Sequence, residues 1–153
     1  MKKSAGILLY KRTKSKLEIM LVHPGGPFWK NKDEGSWSIP KGEFNDDENA
    51  LDAAKREFEE ETGFSCNGDF TALSPVKLKS GKIVYAWALE KDIDITNIKS
   101  NEFEMEWPPK SGKQQRFPEI DKAAWLSPAE AKQKINASQS VFIDELLAIL
   151  ELS

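Results

Sequence analysis

The chain has 153 residues, 39% apolar and 31% charged, with 25 acidic against 22 basic side chains and a formal net charge of -3. Its length and apolar share fit one compact soluble domain over 1–153 and exclude a disordered chain. No apolar run approaches the roughly 20 residues that a membrane span needs, and the acidic balance lacks the broad positive field on which non-specific nucleic-acid binding relies.

In chain order, Met1-Lys2-Lys3-Ser4 imitates the charged start of a secretory signal, but the apolar stretch Ala5 to Tyr10 ends at Lys11-Arg12, short of signal length. Residues 4–10 and 17–22 instead predict two paired strands across a basic turn. From Pro24 to Trp37 no period is sustained, which predicts a long surface loop of a length uncommon unless functional or mobile. A helix is expected over 50–62, with Asn49 as N-cap, Asp52 as a variant capping-box partner and Gly63 as the left-handed stop. The single cysteine, Cys66, permits no intrachain disulfide, which fits a reducing compartment and makes the cytoplasm the expected location. Residues 75–78 and 83–90 flank Ser80-Gly81, a hairpin signal. The stretch 101–118, with three prolines and a glycine, predicts a loop or at best an edge element. Ala123 to Leu126 reads as a last short strand, Ser127-Pro128 as the start of a brief helix, and Ser138 or Ser140 as the start of a final one through Ile149 or Leu150. Strands, a central helix, more strands and then helices describe a layered α/β domain with a mixed β-sheet.

The central helix presents a charge problem. With Glu57 at zero and about 100° per residue, Ala50, Ala54, Phe58 and Leu51 fall between about 20° and 120° and define the buried face. Glu61 falls inside that arc and Glu60 at its margin, while Asp52, Lys55, Glu59 and Thr62 take the solvated side. Burying ionised carboxylates without a partner costs several kcal/mol. Arg56 reaches Glu60 on its own flank, but one guanidinium cannot neutralise three acids. A divalent cation can, and hard oxygen donors with no thiolate or imidazole nearby favour Mg²⁺ or Mn²⁺. The alternative, a plain solvated acidic face partnered by Lys55 and Arg56, has to accept apolar and charged residues on one side of the helix.

Around these acids, Gly42 is followed after five residues by Glu48, and after seven more by Arg56-Glu57-Phe58-Glu59-Glu60-Glu61-Thr62-Gly63-Phe64. This 42–64 segment resembles the signature of the Nudix hydrolase family at every fixed position. The resemblance implies an α/β/α sandwich and metal-dependent hydrolysis of a phosphoanhydride bond in a nucleoside diphosphate-linked small molecule. It also implies that Glu57, Glu60 and Glu61 bind the metal together with the Gly42 carbonyl, that Arg56 orients the acids and that Glu48 braces the loop. Glu57 is the candidate general base.

Just before the motif, Trp37-Ser38-Ile39-Pro40-Lys41-Gly42 resembles the Pro-Lys-Gly lead-in of the branch acting on diadenosine tetraphosphate, capped RNA ends or diphosphoinositol phosphates. Lys41 is therefore expected to contact a phosphate, and Trp37, with Phe28, Trp29 and Trp107, offers a ring on which a base can stack. The diadenosine group also has an acid six residues before a Trp-Leu pair. Here that is Glu119, a fourth metal or base candidate, ahead of Glu102, Glu104 and Glu106. The same group has a tyrosine where this chain has Gly81, the nearest being Tyr85. Lys110, Lys113 and Arg116 form a basic, proline-bounded loop able to close over phosphates, and His23 reads as structural. The expected partner is a small nucleotide such as a diadenosine polyphosphate or an NTP-like compound, with no membrane and no nucleic acid other than RNA 5′ ends. The competing readings are removal of pyrophosphate from RNA 5′ ends and a nucleotide-sensing module without turnover.

Overall fold

β1 (Lys3–Thr13) and β2 (Lys16–Pro24) pair antiparallel around Lys14 and Ser15, both of which have positive φ. The computed structural model describes residues 2–152. β3 (Lys41–Phe44) runs antiparallel beside the first residues of β1, from Lys3 to Gly6. α1 (Ala50–Thr62) follows at the predicted bounds. The Asn49 side chain accepts from the Leu51 and Asp52 N–H groups, and Gly63 at φ 81° closes the helix by donating its N–H to Glu59.

β4 (Thr71–Ala72) and β5 (Val76–Lys77) pair with β6 (Ile83–Glu90), which runs parallel to β1. The expected loop at 101–118 is instead a two-stranded ribbon, β7 (Glu102–Glu106) and β8 (Gln114–Pro118), separate from the main sheet. Three of its four turn-forming residues fall between the strands and Pro118 ends β8, so none interrupts the ladder. β9 (Ile120–Leu126) pairs with β2 and completes a mixed sheet of order β4-β6-β1-β2-β9. α2 (Pro128–Lys134) opens on a full capping box between Ser127 and Glu130, and α3 (Ser140–Leu152) ends the described chain. None of the described helices is long and apolar enough to cross a membrane.

Alternation along β1 and β2 builds the layers. Ile7, Leu9, Met20 and Val22 face Ala53, Ala54 and Phe58 of α1, whereas Leu8, Ile19 and Leu21 face Ala131 of α2 and Phe142, Ile143 and Leu146 of α3. Each fully buried side chain of this size contributes about 1.5–3 kcal/mol. The result is helix, sheet, helix, as expected, with α1 held against the edge where β3 joins β1.

Candidate active site

Two of the three helix acids point into the protein. Glu57 and Glu61, one turn apart on α1, are each 8% exposed, Glu60 is half-buried beside them, and Phe58 anchors the same face at zero exposure. Gly42 on β3 makes room for them, because a Cβ at position 42 would overlap the Glu57 carboxylate. The Lys41 N–H donates to Glu61 Oε1 at 3.3 Å. Thr62, expected on the solvated side, is fully buried. Its hydroxyl donates to the Phe58 carbonyl at 2.7 Å, and Lys99 and Asn101 cover the helix end through their N–H groups to Thr62 and Glu60 carbonyls.

Arg56 sits at the centre of the acids. Its Nε and Nη2 donate to both carboxylate oxygens of Glu48, while Nη1 donates to Glu57 at 2.9 Å and to Glu60 at 3.3 Å. The pair with Glu48, above all, holds Arg56 above the usual guanidinium range and Glu48 below the usual carboxylate range.

Glu119 arrives from the far side of the cleft and its peptide is fixed at both ends. Its N–H donates to the Asn101 carbonyl, Asn101 in turn donates to the Glu60 carbonyl, and the Glu119 carbonyl accepts from Gly25, each at 2.8 Å. The Asn101 backbone thus ties the end of the ribbon to the end of α1. A cavity of about 190 Å³ lies between these elements, lined by Lys41, Glu61, Glu119, Pro24, Ser38 and Ile39.

The electrostatics show unbalanced negative charge. Burial, reinforced by Glu57 and Glu119, pushes the Glu61 carboxyl up to about 8, against the weaker pull of Lys41. Burial and Glu60 raise Glu57 despite Arg56, and burial and Glu60 raise Glu119. No lysine or arginine pairs with Glu61 or Glu119 among the described residues. Lys41 is half-buried and, by burial first and then by Lys82, is held below the usual lysine range. This is a donor set of hard oxygens short of positive charge, and it fits a divalent cation. Glu61 and Glu119 line the cleft, and no three acidic, histidine or cysteine side chains among the described residues stand close enough to share an ion. Arg56 draws Glu57 and Glu60 to its own side.

Trp37 requires a correction. It is 6% exposed, packed edge-on to His23 at 5.3 Å, and its indole N–H donates to Asp33 at 2.8 Å, so it closes the core and has no open face for a base. A backbone bridge from Trp37 to Ile135, invisible in the local composition, accounts for its burial. His23 is structural as expected, its ring nitrogens bonding Asp121 and the Lys32 carbonyl oxygen. In the ribbon, Arg116 pairs with Glu102 at 3.1 Å and Glu104 at 3.6 Å. The sequence gives no sign of Gln139, a buried side chain that accepts from the Ile39 N–H at 3.1 Å and donates to the Ser38 hydroxyl at 3.1 Å, holding the segment that leads into Lys41 and Gly42.

The NUDIX domain profile matches residues 2–146. A comparison with curated proteins returned no match. Among solved structures, a C. elegans Ap4A hydrolase binary complex is similar to this chain with TM-score 0.69 and 19% identity, over 98% of this chain and 99% of its own. The NUDIX domain of Shewanella oneidensis NrtR, complexed with ADP ribose, gives 0.66 and 16%, over 97% and 87%. The E. coli ORF135 protein gives 0.56 and 22%, over 97% and 91%. At these identities the likeness is one of fold.

Proposed function

The chain belongs to the NUDIX family, and from that premise we propose that it is a pyrophosphohydrolase cleaving a phosphoanhydride bond in a nucleoside diphosphate-linked small molecule, with Mg²⁺ or Mn²⁺ as cofactor. The observation that carries this reading is Glu61, nearly buried, pushed up to about 8 and bordered by Glu57 and Glu119 with no lysine or arginine paired to it among the described residues. Glu57, Glu60, Glu61 and the Gly42 carbonyl would hold the ion once Glu57 and Glu60 turn from Arg56 toward it. When bound, such an ion offsets the negative charge of the phosphate oxygens and lowers the pKa of coordinated water.

The chain's own residues supply the rest. Arg56 orients Glu57 and Glu60 and takes its own orientation from Glu48. Lys41, which lines the cleft, is suited to a phosphate oxygen several units from the scissile bond. Glu57 has one oxygen committed to Arg56, whereas Glu119 has no cation partner among the described residues. That difference favours Glu119 over Glu57 as the group that takes the proton from the attacking water.

The named substrates of the structural relatives, Ap4A and ADP ribose, define the compounds to try. Diadenosine tetraphosphate, ADP-ribose, the NTPs and a triphosphorylated RNA, each incubated with Mg²⁺ or Mn²⁺ in ¹⁸O-water, should yield a phosphate-bearing product with label on one side of a cleaved anhydride. Label only in products of the RNA would favour action on RNA 5′ ends, and no product from any compound would favour a sensing module.

A further inference from the structure

The segment 37–42 carries one wall of the acid cleft. Ser38, Ile39 and Lys41 line the cavity, and the Lys41 N–H donates the one hydrogen bond that the Glu61 side chain receives among the described residues. Two strands hold the segment from one side. Ser38 exchanges both backbone bonds with Val22, at 2.9 and 3.0 Å, and the Pro40 carbonyl accepts from Ile7 at 3.1 Å. Gly6 lets the chain lie close, since a Cβ there would stand 2.5 Å from the Pro40 carbonyl oxygen.

Ile39 falls between these anchors. It is fully buried, and its N–H has no backbone acceptor among the described residues. Left unpaired, such a group would cost as much as a lost hydrogen bond. Gln139, just ahead of α3, supplies the acceptor. Its Oε1 accepts from the Ile39 N–H at 3.1 Å, and its Nε2 donates to Ser38 Oγ at 3.1 Å, which in turn donates to the Ile39 carbonyl at 2.6 Å. One amide serves both neighbours because it carries an acceptor and a donor side by side. Gln139 is 4% exposed and is itself fixed: its N–H donates to the Asn136 carbonyl at 2.9 Å, Asn136 to the Trp37 carbonyl at 2.7 Å, and Trp37 to the Lys134 carbonyl at 3.0 Å.

We propose that Gln139 is a positioning residue for the acid cleft, holding Ile39 so that Lys41 and Gly42 pass α1 at the spacing a divalent cation requires. This rests on the pyrophosphohydrolase reading of the cleft. Gln139 is not among the residues lining the cavity, so it acts through the chain. Between Ile39 and Lys41 stands Pro40, whose fixed φ and flanking planar peptides leave little freedom to absorb a shift. Movement of Ile39 is therefore passed on to the Lys41 N–H and the Gly42 carbonyl. The Lys41 bond to Glu61, at 3.3 Å, already exceeds the usual range of about 2.7–3.2 Å, and a small retreat breaks it.

The test is Mn²⁺ titration by calorimetry, without substrate, on the full chain and on Gln139→Met and Gln139→Asn, with amide hydrogen exchange on the metal-free proteins. Methionine deletes both bonds, and asparagine keeps an amide one methylene short of Ile39, so the second decides the matter if the first does not fold. Both variants should weaken Mn²⁺ about tenfold and speed exchange of the Lys41 amide about tenfold relative to the Met20 amide of β2. Leu146→Ala, which opens the core of the same layer, should lower Tm and change neither. Gln139 variants that melt lower but bind Mn²⁺ as the unaltered protein does would make Gln139 purely structural and overturn the proposal. Equal loss of Mn²⁺ affinity in Leu146→Ala would overturn it as well, by tracing the effect to general loosening. No Mn²⁺ uptake by the unaltered protein would overturn the cleft reading and the cation role with it, while Lys41 exchange would still decide whether Gln139 holds the segment.

Discussion

Arg56 grips Glu48 at two points, Nε to Oε2 and Nη2 to Oε1, both at 2.9 Å, leaving Nη1 to serve Glu57 and Glu60. The fork reaches three carboxylates from one side chain because its donors are planar and fixed in direction. Glu48 therefore acts on the cleft through Arg56, by fixing the plane in which Nη1 points.

A lysine at 56 keeps the charge and loses the plane. Arg56→Lys should lower turnover by about 10- to 100-fold with a small loss of stability, about 1 kcal/mol, since the pairs are partly exposed. Glu48→Gln should raise the Mg²⁺ concentration needed for half-maximal rate more than it lowers the maximal rate. Equal rates for Arg56→Lys and the unaltered protein, at every Mg²⁺ concentration, would remove the guanidinium from the site.

Gly42 is required for space, because its neighbour is a carboxylate. Gly42→Ala should displace Glu57, costing about 1–3 kcal/mol of stability by overpacking and most of the activity. A circular dichroism melt and a rate measurement on one preparation check both, and an alanine variant with full activity would mean that the Glu57 position is irrelevant to turnover.

The helix and its caps were legible because Asn49, Gly63 and the apolar spacing are local signals, and the acids were legible because they stand on the apolar side of that helix. What the sequence hid was every contact made across long separations. Thr62 is buried by Lys99 and Asn101, Trp37 by Ile135 and His23, and Gln139 reaches Ser38 and Ile39 from a hundred residues away. Residues 101–118 misled for a different reason: their prolines and glycine mark a turn, and the strands on either side are made of charged and polar residues with only one apolar face, Phe103 against Phe117. Glu119 was reachable only through resemblance, since no local pattern separates it from Glu102, Glu104 or Glu106.

Lys41 stands beside the cleft with no acidic partner for its side chain among the described residues. Its backbone serves Glu61, but its ammonium forms no ion pair among the described residues, and burial holds its pKa below the usual lysine range. Lys41→Met keeps the length and the apolar packing while deleting the charge. It should raise KM for a nucleoside triphosphate by about tenfold or more, as expected for losing one charge-assisted contact, and leave the fold intact. An unchanged KM across nucleoside di- and triphosphates would remove Lys41 from phosphate binding.

Glu61 links the cleft to stability. An acid raised from 4.5 in the unfolded chain to about 8 in the folded protein binds more protons when folded throughout that interval. Stability of the metal-free protein therefore falls as pH rises from about 4.5 to about 8, by several kcal/mol at most. Glu57 and Glu119, also raised, act with the same sign. The exposed or half-buried acids held low by their partners, Asp33, Asp46, Glu48, Glu90 and Asp94, act with the opposite sign, but only as pH drops below the ordinary carboxylate range. Thermal melts in EDTA between pH 5 and 8 should thus show a declining Tm, and Glu61→Gln, neutral at every pH, should flatten the decline and melt higher at pH 8. Saturating Mg²⁺ should raise the pH 8 melt of the unaltered protein more than its pH 5 melt, because only the ionised acids attract the cation. The same variant should lose turnover by several orders of magnitude, so a gain in stability and a loss of activity would arise from one carboxylate. A Glu61→Gln protein whose Tm follows the same pH curve as the unaltered chain would show that this acid is not the one bearing the uncompensated charge.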